Sequence, residues 1–322
     1  MLLPFVFEPY LKSVLWGGTR IAAYKGWPTQ SRSIGESWEI SAMPGRESVV
    51  KAGPERGMRL SQLVEKYGAD LLGERVWAKY GTDFPLIVKL IDARRDLSLQ
   101  VHPNDDLARR RHQDRGKTEM WYVVRADEGA AVYAGFSRTL TPEEYDIRAA
   151  GHTLMETVAR YASHPGDVFY LPAGCIHSLT AGNMVVEVQQ ASDVTYRVYD
   201  YDRLDADGKP RELHTDLARE ALNYQATDDL MVVYDHEAPD ITGLVNGPYF
   251  KVARIRLRGS LLMPDAREAF VVLMCVEGKV KMDMALRPDF FLELHAGETV
   301  LVPAASPSLR MEGEATLLQI SV

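Results

Sequence analysis

With 322 residues, 46% hydrophobic and 25% charged, the chain has the composition of a soluble globular protein and more length than one core usually holds, so two domains are expected. A formal net charge of −8 argues against nucleic acid as the main partner, and no apolar run is long enough to span a membrane. Only two cysteines, Cys175 and Cys275, are present, which suggests no disulfide framework and fits a reducing cytoplasm.

Residues 1–10 lack a basic start, and Pro4 and Glu8 interrupt their apolar stretch, so they do not read as a signal peptide. A strand pattern follows at 37–41. The spacing of Leu60, Leu63, Val64 and Tyr67 predicts a helix, with Ser61 as its cap. Another strand, 85–91, carries Lys89 near the end of an apolar run, where a lysine either snorkels or faces an anionic ligand. In 97–102, Leu97, Leu99 and Val101 share one face, expected to pack outward against helices. Ser98, Gln100 and His102 share the other, expected to line the mouth of a barrel. Asp105 is expected to cap the next helix, whose Arg109, Arg110 and Arg111 read as a solvated face.

Strand 119–124 puts Glu119 beside Trp121 and Val123, a costly place for a carboxylate unless it is paired or metal-bound. Thr141, Pro142, Glu143 and Glu144 spell the start of a helix. Strand 168–171 runs from Gly166-Asp167 to Pro172, with His177 five residues beyond. Strand 185–189 carries Glu187, which faces either a cavity or solvent. A third helix is expected at 211–223. Residues 226–247, with Asp228-Asp229, Pro239-Asp240 and Asn246-Gly247, read as a connector. Strands 252–257, 271–276 and 299–302 complete the chain. Residues 297–304 echo 166–173: each reads Gly, acid, a four-residue strand, Pro-Ala, but Ser308 stands where the first copy has His177. Many strands and few helices predict a sandwich or jelly roll decorated with helices.

His102, Glu119 and His177, with Gln100 as a direct ligand or a hydrogen-bonding neighbour, form a donor set suited to a divalent cation with an open position. Zinc, iron, cobalt and manganese all fit these ligand types.

Gly166, Pro172 and His177 match the second signature of the cupin jelly roll. The first signature departs from the usual His-x-His: here it is Gln100-Val101-His102, with Glu119 after an insertion. Together with Leu15-Trp16-Gly17-Gly18, Gly35-Glu36-Ser37-Trp38, Gly116-Lys117-Thr118-Glu119 and Thr195-Tyr196-Arg197, these blocks resemble the type I mannose-6-phosphate isomerases, in their short bacterial branch. The resemblance, which covers roughly residues 12–225, implies a mostly β fold with a cupin jelly-roll barrel and inserted helices over 1–225. After the connector 226–247, the echo and Ser308 lead us to expect a smaller, metal-free, degenerate cupin-like domain over 248–322. The resemblance also implies one zinc ion per chain and a sugar-phosphate substrate, with mannose 6-phosphate and fructose 6-phosphate interconverted through an enediol. Arg197 is then a stabiliser of developing charge, Glu187 the candidate for proton transfer, and Lys89 and Lys117 substrate contacts. For Arg197 the alternative is a structural bridge between Asp193 and Asp200. For the whole chain the alternatives are a non-catalytic sugar-phosphate-binding module and an iron-dependent cupin oxygenase. Oligomeric state is left open.

Overall fold

The computed structural model describes residues 2–28, 33–204, 207–227, 229–265 and 268–322. Its strands form three antiparallel sheets. The first has six strands in the order Val168–Leu171, Glu119–Ala126, Asn183–Gln190, Leu86–Asp92, Glu36–Ile40 and Tyr10–Lys12. The second has five: Tyr196–Tyr199, Leu99–Val101, His177–Leu179, Ala131–Phe136 and Val158–Ala162. The third has eight strands and gathers those after residue 239 with Phe5–Glu8 and Val49–Val50 from the N-terminus.

Period-two alternation explains how the first two sheets close into a jelly roll. In the six-stranded sheet Val88, Leu90, Met120, Tyr122, Val186 and Val188 point one way, into the large core shared with helix Leu60–Leu72 and the third sheet. The alternate residues Ile91, Trp121, Val123 and Val185 point the other way and meet Val132, Ala134 and Leu179 of the five-stranded sheet. On the same inner face Lys89, Glu119, Glu187 and Gln189 are also buried. The interior is therefore apolar at one end and charged at the other. Leu99 and Val101 turn outward, onto the helices Asp105–His112 and Thr215–Ala221.

Several local expectations shift. Leu97 precedes strand Leu99–Val101, so alternation does not govern it, and it packs inward with Trp16 and Ile91. Asn104, not Asp105, caps the helix Asp105–His112, its side chain accepting the Leu107 N–H at 2.9 Å. Ser61 lies inside helix Leu60–Leu72 and donates to Glu47, while the Arg59 N–H is taken by Gln62 Oε1 at 2.9 Å. The third expected helix is shorter, Thr215–Ala221. Thr141 caps Pro142–Ala150 as its sequence spells. Asp240–Asn246, within the stretch read as a connector, is a strand paired with Lys251–Met263. Asp228 lies outside the described residues. Both cysteines are buried and free.

Candidate active site

Three segments deliver the candidate ligands. His102 directly follows strand Leu99–Val101, His177 opens strand His177–Leu179, and Glu119 opens strand Glu119–Ala126 of the facing sheet. Cross-strand register sets Gln100 opposite both His177 and Arg197. One ligand atom from each of His102, Glu119 and His177 lies within 4.8 Å of the others, and all three residues are buried.

The hydrogen bonds fix the tautomers. His102 Nδ1 donates to Val194 O at 2.9 Å, and His177 Nδ1 donates to Cys175 O at 2.9 Å. Each ring then presents its Nε2 lone pair to Glu119, at 3.4 Å from Oε2 and 3.2 Å from Oε1. Lone pairs thus face lone pairs, an arrangement that a cation between them would stabilise. Glu119 Oε1 is buried with no hydrogen-bond donor. The Lys117 ammonium supplies positive charge on one side, 2.6 Å from Glu119 Oε2 and 3.0 Å from His102 Nε2. The Gln100 amide lies 3.3 Å from His177 Nε2. This donor set, two imidazoles, a carboxylate and a neighbouring amide, fits a divalent metal.

For His102 and Glu119, electrostatics favour the forms that a metal requires. Burial, then Lys117, pushes the His102 imidazolium down to about 4, so the ring is neutral. Burial raises the Glu119 carboxyl, but Lys117 and then His102 outweigh it and leave it well below the usual range.

Gln100 and Lys117 open onto a cavity of about 360 Å³, within the usual range for a small-molecule pocket of roughly 300–1,000 Å³. Its wall carries the cations Lys12, Lys89, Lys117, Arg197 and Arg211 against the carboxylates Glu36, Glu187 and Asp193. Lys89 donates to Glu187 Oε1 at 2.8 Å and Gln189 Oε1 at 2.6 Å, and lies 4.5 Å from the centroid of the Trp38 ring. Burial disfavours its charge, but Glu187, Glu36 and Asp193 together raise its pKa. Trp121 Nε1 donates to Glu187 Oε2 at 2.8 Å, so both oxygens of that carboxylate are anchored. Glu187 is 3% exposed and does not face solvent.

Arg197 does not bridge Asp193 and Asp200. Asp193 pairs with Arg46, and Asp200 with Arg203 and Arg211. The Arg197 guanidinium donates to Glu212 O at 2.8 Å, and its buried Nε has no partner. Burial and then Arg211 lower its pKa.

Sequence reasoning assigned no role to Lys12, Glu36, Trp38, Gln189 and Arg211. Glu36 and Trp38 carried a usable signal: alternate polar-capable residues in a strand, the pattern that singled out Gln100 and His102. Lys12 and Arg211 carried none, since each is brought to the cavity from a distant segment.

Comparison with known proteins places these features in context. A family model described as phosphomannose isomerase type I, catalytic domain, matches residues 5–129. The chain is 34% identical to mannose-6-phosphate isomerase ManA of Bacillus subtilis, over 97% of this chain and 96% of that protein. It is 31% identical to a mannose-6-phosphate isomerase of Streptococcus mutans, over 99% and 98% respectively. Its structure resembles the crystal structure of mannose 6-phosphate isomerase from Bacillus subtilis, with a TM-score of 0.89, 32% identity and full coverage of both chains.

Proposed function

The chain belongs to the type I mannose-6-phosphate isomerase family, and from that premise we propose how its cavity interconverts mannose 6-phosphate and fructose 6-phosphate. The observation that carries the reading is the buried His102–Glu119–His177 cluster, whose neighbours Gln100 and Lys117 line a cavity richer in cations than in carboxylates. A zinc ion held by these three side chains and the Gln100 amide oxygen would supply Lewis acidity toward the sugar's carbonyl and hydroxyl oxygens.

The chain's own residues account for the rest. Aldose–ketose exchange removes a proton from C2 and returns one to C1, while a proton passes between the two oxygens. Glu187 is the proton carrier in this reading, because its carboxylate lines the cavity and is held rigidly by Lys89 and Trp121. Arg197 stabilises the negative charge that develops on the enediolate. Its guanidinium has no carboxylate within ion-pair distance among the described residues, and its charge is therefore available to substrate. Lys89 and Lys117 contact the anionic substrate, and Lys117 already spans the distance from the ligand cluster to the cavity. We also place the enzyme in the cytoplasm, where its free thiols and phosphorylated substrate belong. No helix among the described residues is long and apolar enough to cross a membrane.

The test is coupled detection of fructose 6-phosphate formed from mannose 6-phosphate, alongside elemental analysis. Stripping with a strong chelator is expected to abolish turnover, and zinc alone, without oxygen, to restore it. Rescue only by ferrous iron plus oxygen would favour an oxygenase. Tight binding of mannose 6-phosphate with no conversion would favour a binding module.

A further inference from the structure

A polar chain crosses from the eight-stranded sheet to the segment that carries Lys117 and Glu119. It starts in the turn before strand Lys251–Met263, where Gly247 N–H donates to Phe250 O at 3.0 Å. Phe250 is 1% exposed and anchors this turn in the large core. Next to it, Tyr249 OH donates to Asp105 Oδ2 at 3.0 Å. The other oxygen, Asp105 Oδ1, accepts the Gly116 N–H at 2.8 Å and Gln190 Nε2 at 3.0 Å. Gln190 continues the chain: its Oε1 accepts the Thr118 N–H at 2.8 Å, and its N–H donates to Thr118 O at 3.1 Å. Both neighbours of Lys117 are thus held by one carboxylate and one amide. The approach is close, since a Cβ on Gly116 would lie 2.6 Å from Asp105 N. Asp105 forms no ion pair within 4 Å among the described residues, so these three hydrogen bonds are what orient it.

We propose that Tyr249 is a positioning residue: its hydroxyl, supplied by the C-terminal β-unit, orients Asp105 and through it holds residues 116–118 so that Lys117 and Glu119 keep their places in the site. Tyr249 itself does not line the cavity. Removing the hydroxyl leaves Asp105 Oδ2 without its donor and lets the carboxylate turn, and with it the Gly116 and Gln190 bonds. The second β-unit then has a share in catalysis beyond completing the core. This inference rests on the isomerase reading above.

The experiment uses full-length, zinc-loaded protein and mannose 6-phosphate turnover. Tyr249→Phe is expected to lower kcat about tenfold, the equivalent of about 1.4 kcal/mol, with KM within about twofold. Zinc content and thermal midpoint should stay near wild type. In an Asp105→Ala background, which is itself slower, Tyr249→Phe should cost nothing further. Unchanged kcat in Tyr249→Phe, fully additive losses, or a loss that merely tracks the folded fraction would overturn the proposal. If Asp105→Ala is not recovered folded, the kcat and midpoint of Tyr249→Phe alone decide. A wild-type enzyme with no turnover would sink the isomerase reading itself, and this inference with it.

Discussion

Glu187 and Lys89 face each other across neighbouring strands, each no more than 4% exposed. The Lys89 ammonium and the Glu187 carboxylate pair at 2.8 Å inside the cavity wall, and Glu36 and Asp193 also act on Lys89. Glu187→Gln preserves shape and one of the two anchoring hydrogen bonds but removes the proton acceptor. It should lower kcat by roughly a hundredfold to ten-thousandfold while the metal stays bound, as steady-state rates and elemental analysis of one preparation would show. Loss of metal would mean that Glu187 serves the cation instead. His102 predicts a pH dependence. Folding holds its ring neutral, with the pKa lowered from 6.5 to about 4. The unfolded chain therefore takes up the proton first, so stability is full above pH 6.5 and drains as the pH falls toward 4. For the metal-free protein the ceiling on this loss is about 3 kcal/mol. Urea midpoints at successive pH values should fall across that window, and fall less in His102→Gln. At this scale the sequence was informative wherever a polar residue sat in a strand rhythm, as with His102 and Glu119. It could not reveal Glu187's anchors, because Trp121 and Lys89 reach it only through cross-strand register.

Among the elements, the echo in the sequence is a repeated piece of structure. Gly166 and Gly297 both have positive φ, +94° and +85°. Gly166 N–H donates to Val123 O at 2.8 Å, and Gly297 N–H to Cys275 O at 2.8 Å. Asp167 Oδ2 accepts the His164 N–H at 2.7 Å, and Glu298 Oε2 the His295 N–H at 2.9 Å. The strands that follow pair in the same register, so Leu171 stands opposite Glu119 as Val302 stands opposite Val271. An apolar side chain thus occupies the place of the carboxylate ligand in the second copy. The turn also predicts a sensitive position. Gly297→Ala must adopt a positive φ and put its Cβ 2.7 Å from Lys25 Cγ, whose ammonium is bound to Glu39. A destabilisation of more than about 1 kcal/mol is expected, and a thermal midpoint equal to wild type would contradict it. Helix signals proved legible where the chemistry was local, as at Thr141-Pro142. They slipped by one residue at Asn104 because Asp105 is an equally good cap by type, and only its engagement with Gly116, Gln190 and Tyr249 takes it out of that role.

At the scale of the whole molecule, cutting the chain at residue 247 would divide a sheet and a core. Strand Phe5–Glu8 pairs with Thr299–Val302, and the largest core joins Leu86 and Val88 to Phe270, Val272 and Leu318. We therefore expect a single calorimetric transition for the full chain, and residues 1–247 expressed alone to give no cooperatively folded enzyme. Two resolved transitions, or an active fragment, would show that the two β-units fold independently. The sequence by itself determined the strand rhythm, the Gly-acid turns and which side chains offer metal-type donor atoms, because these depend on a residue and its near neighbours. Only the tertiary structure decided which of the buried charges meet, how the rings of His102 and His177 are turned, and that the N-terminal strand completes the C-terminal sheet. Those outcomes depend on contacts between residues far apart in the chain, and on a buried charge finding its partner, which no local pattern encodes.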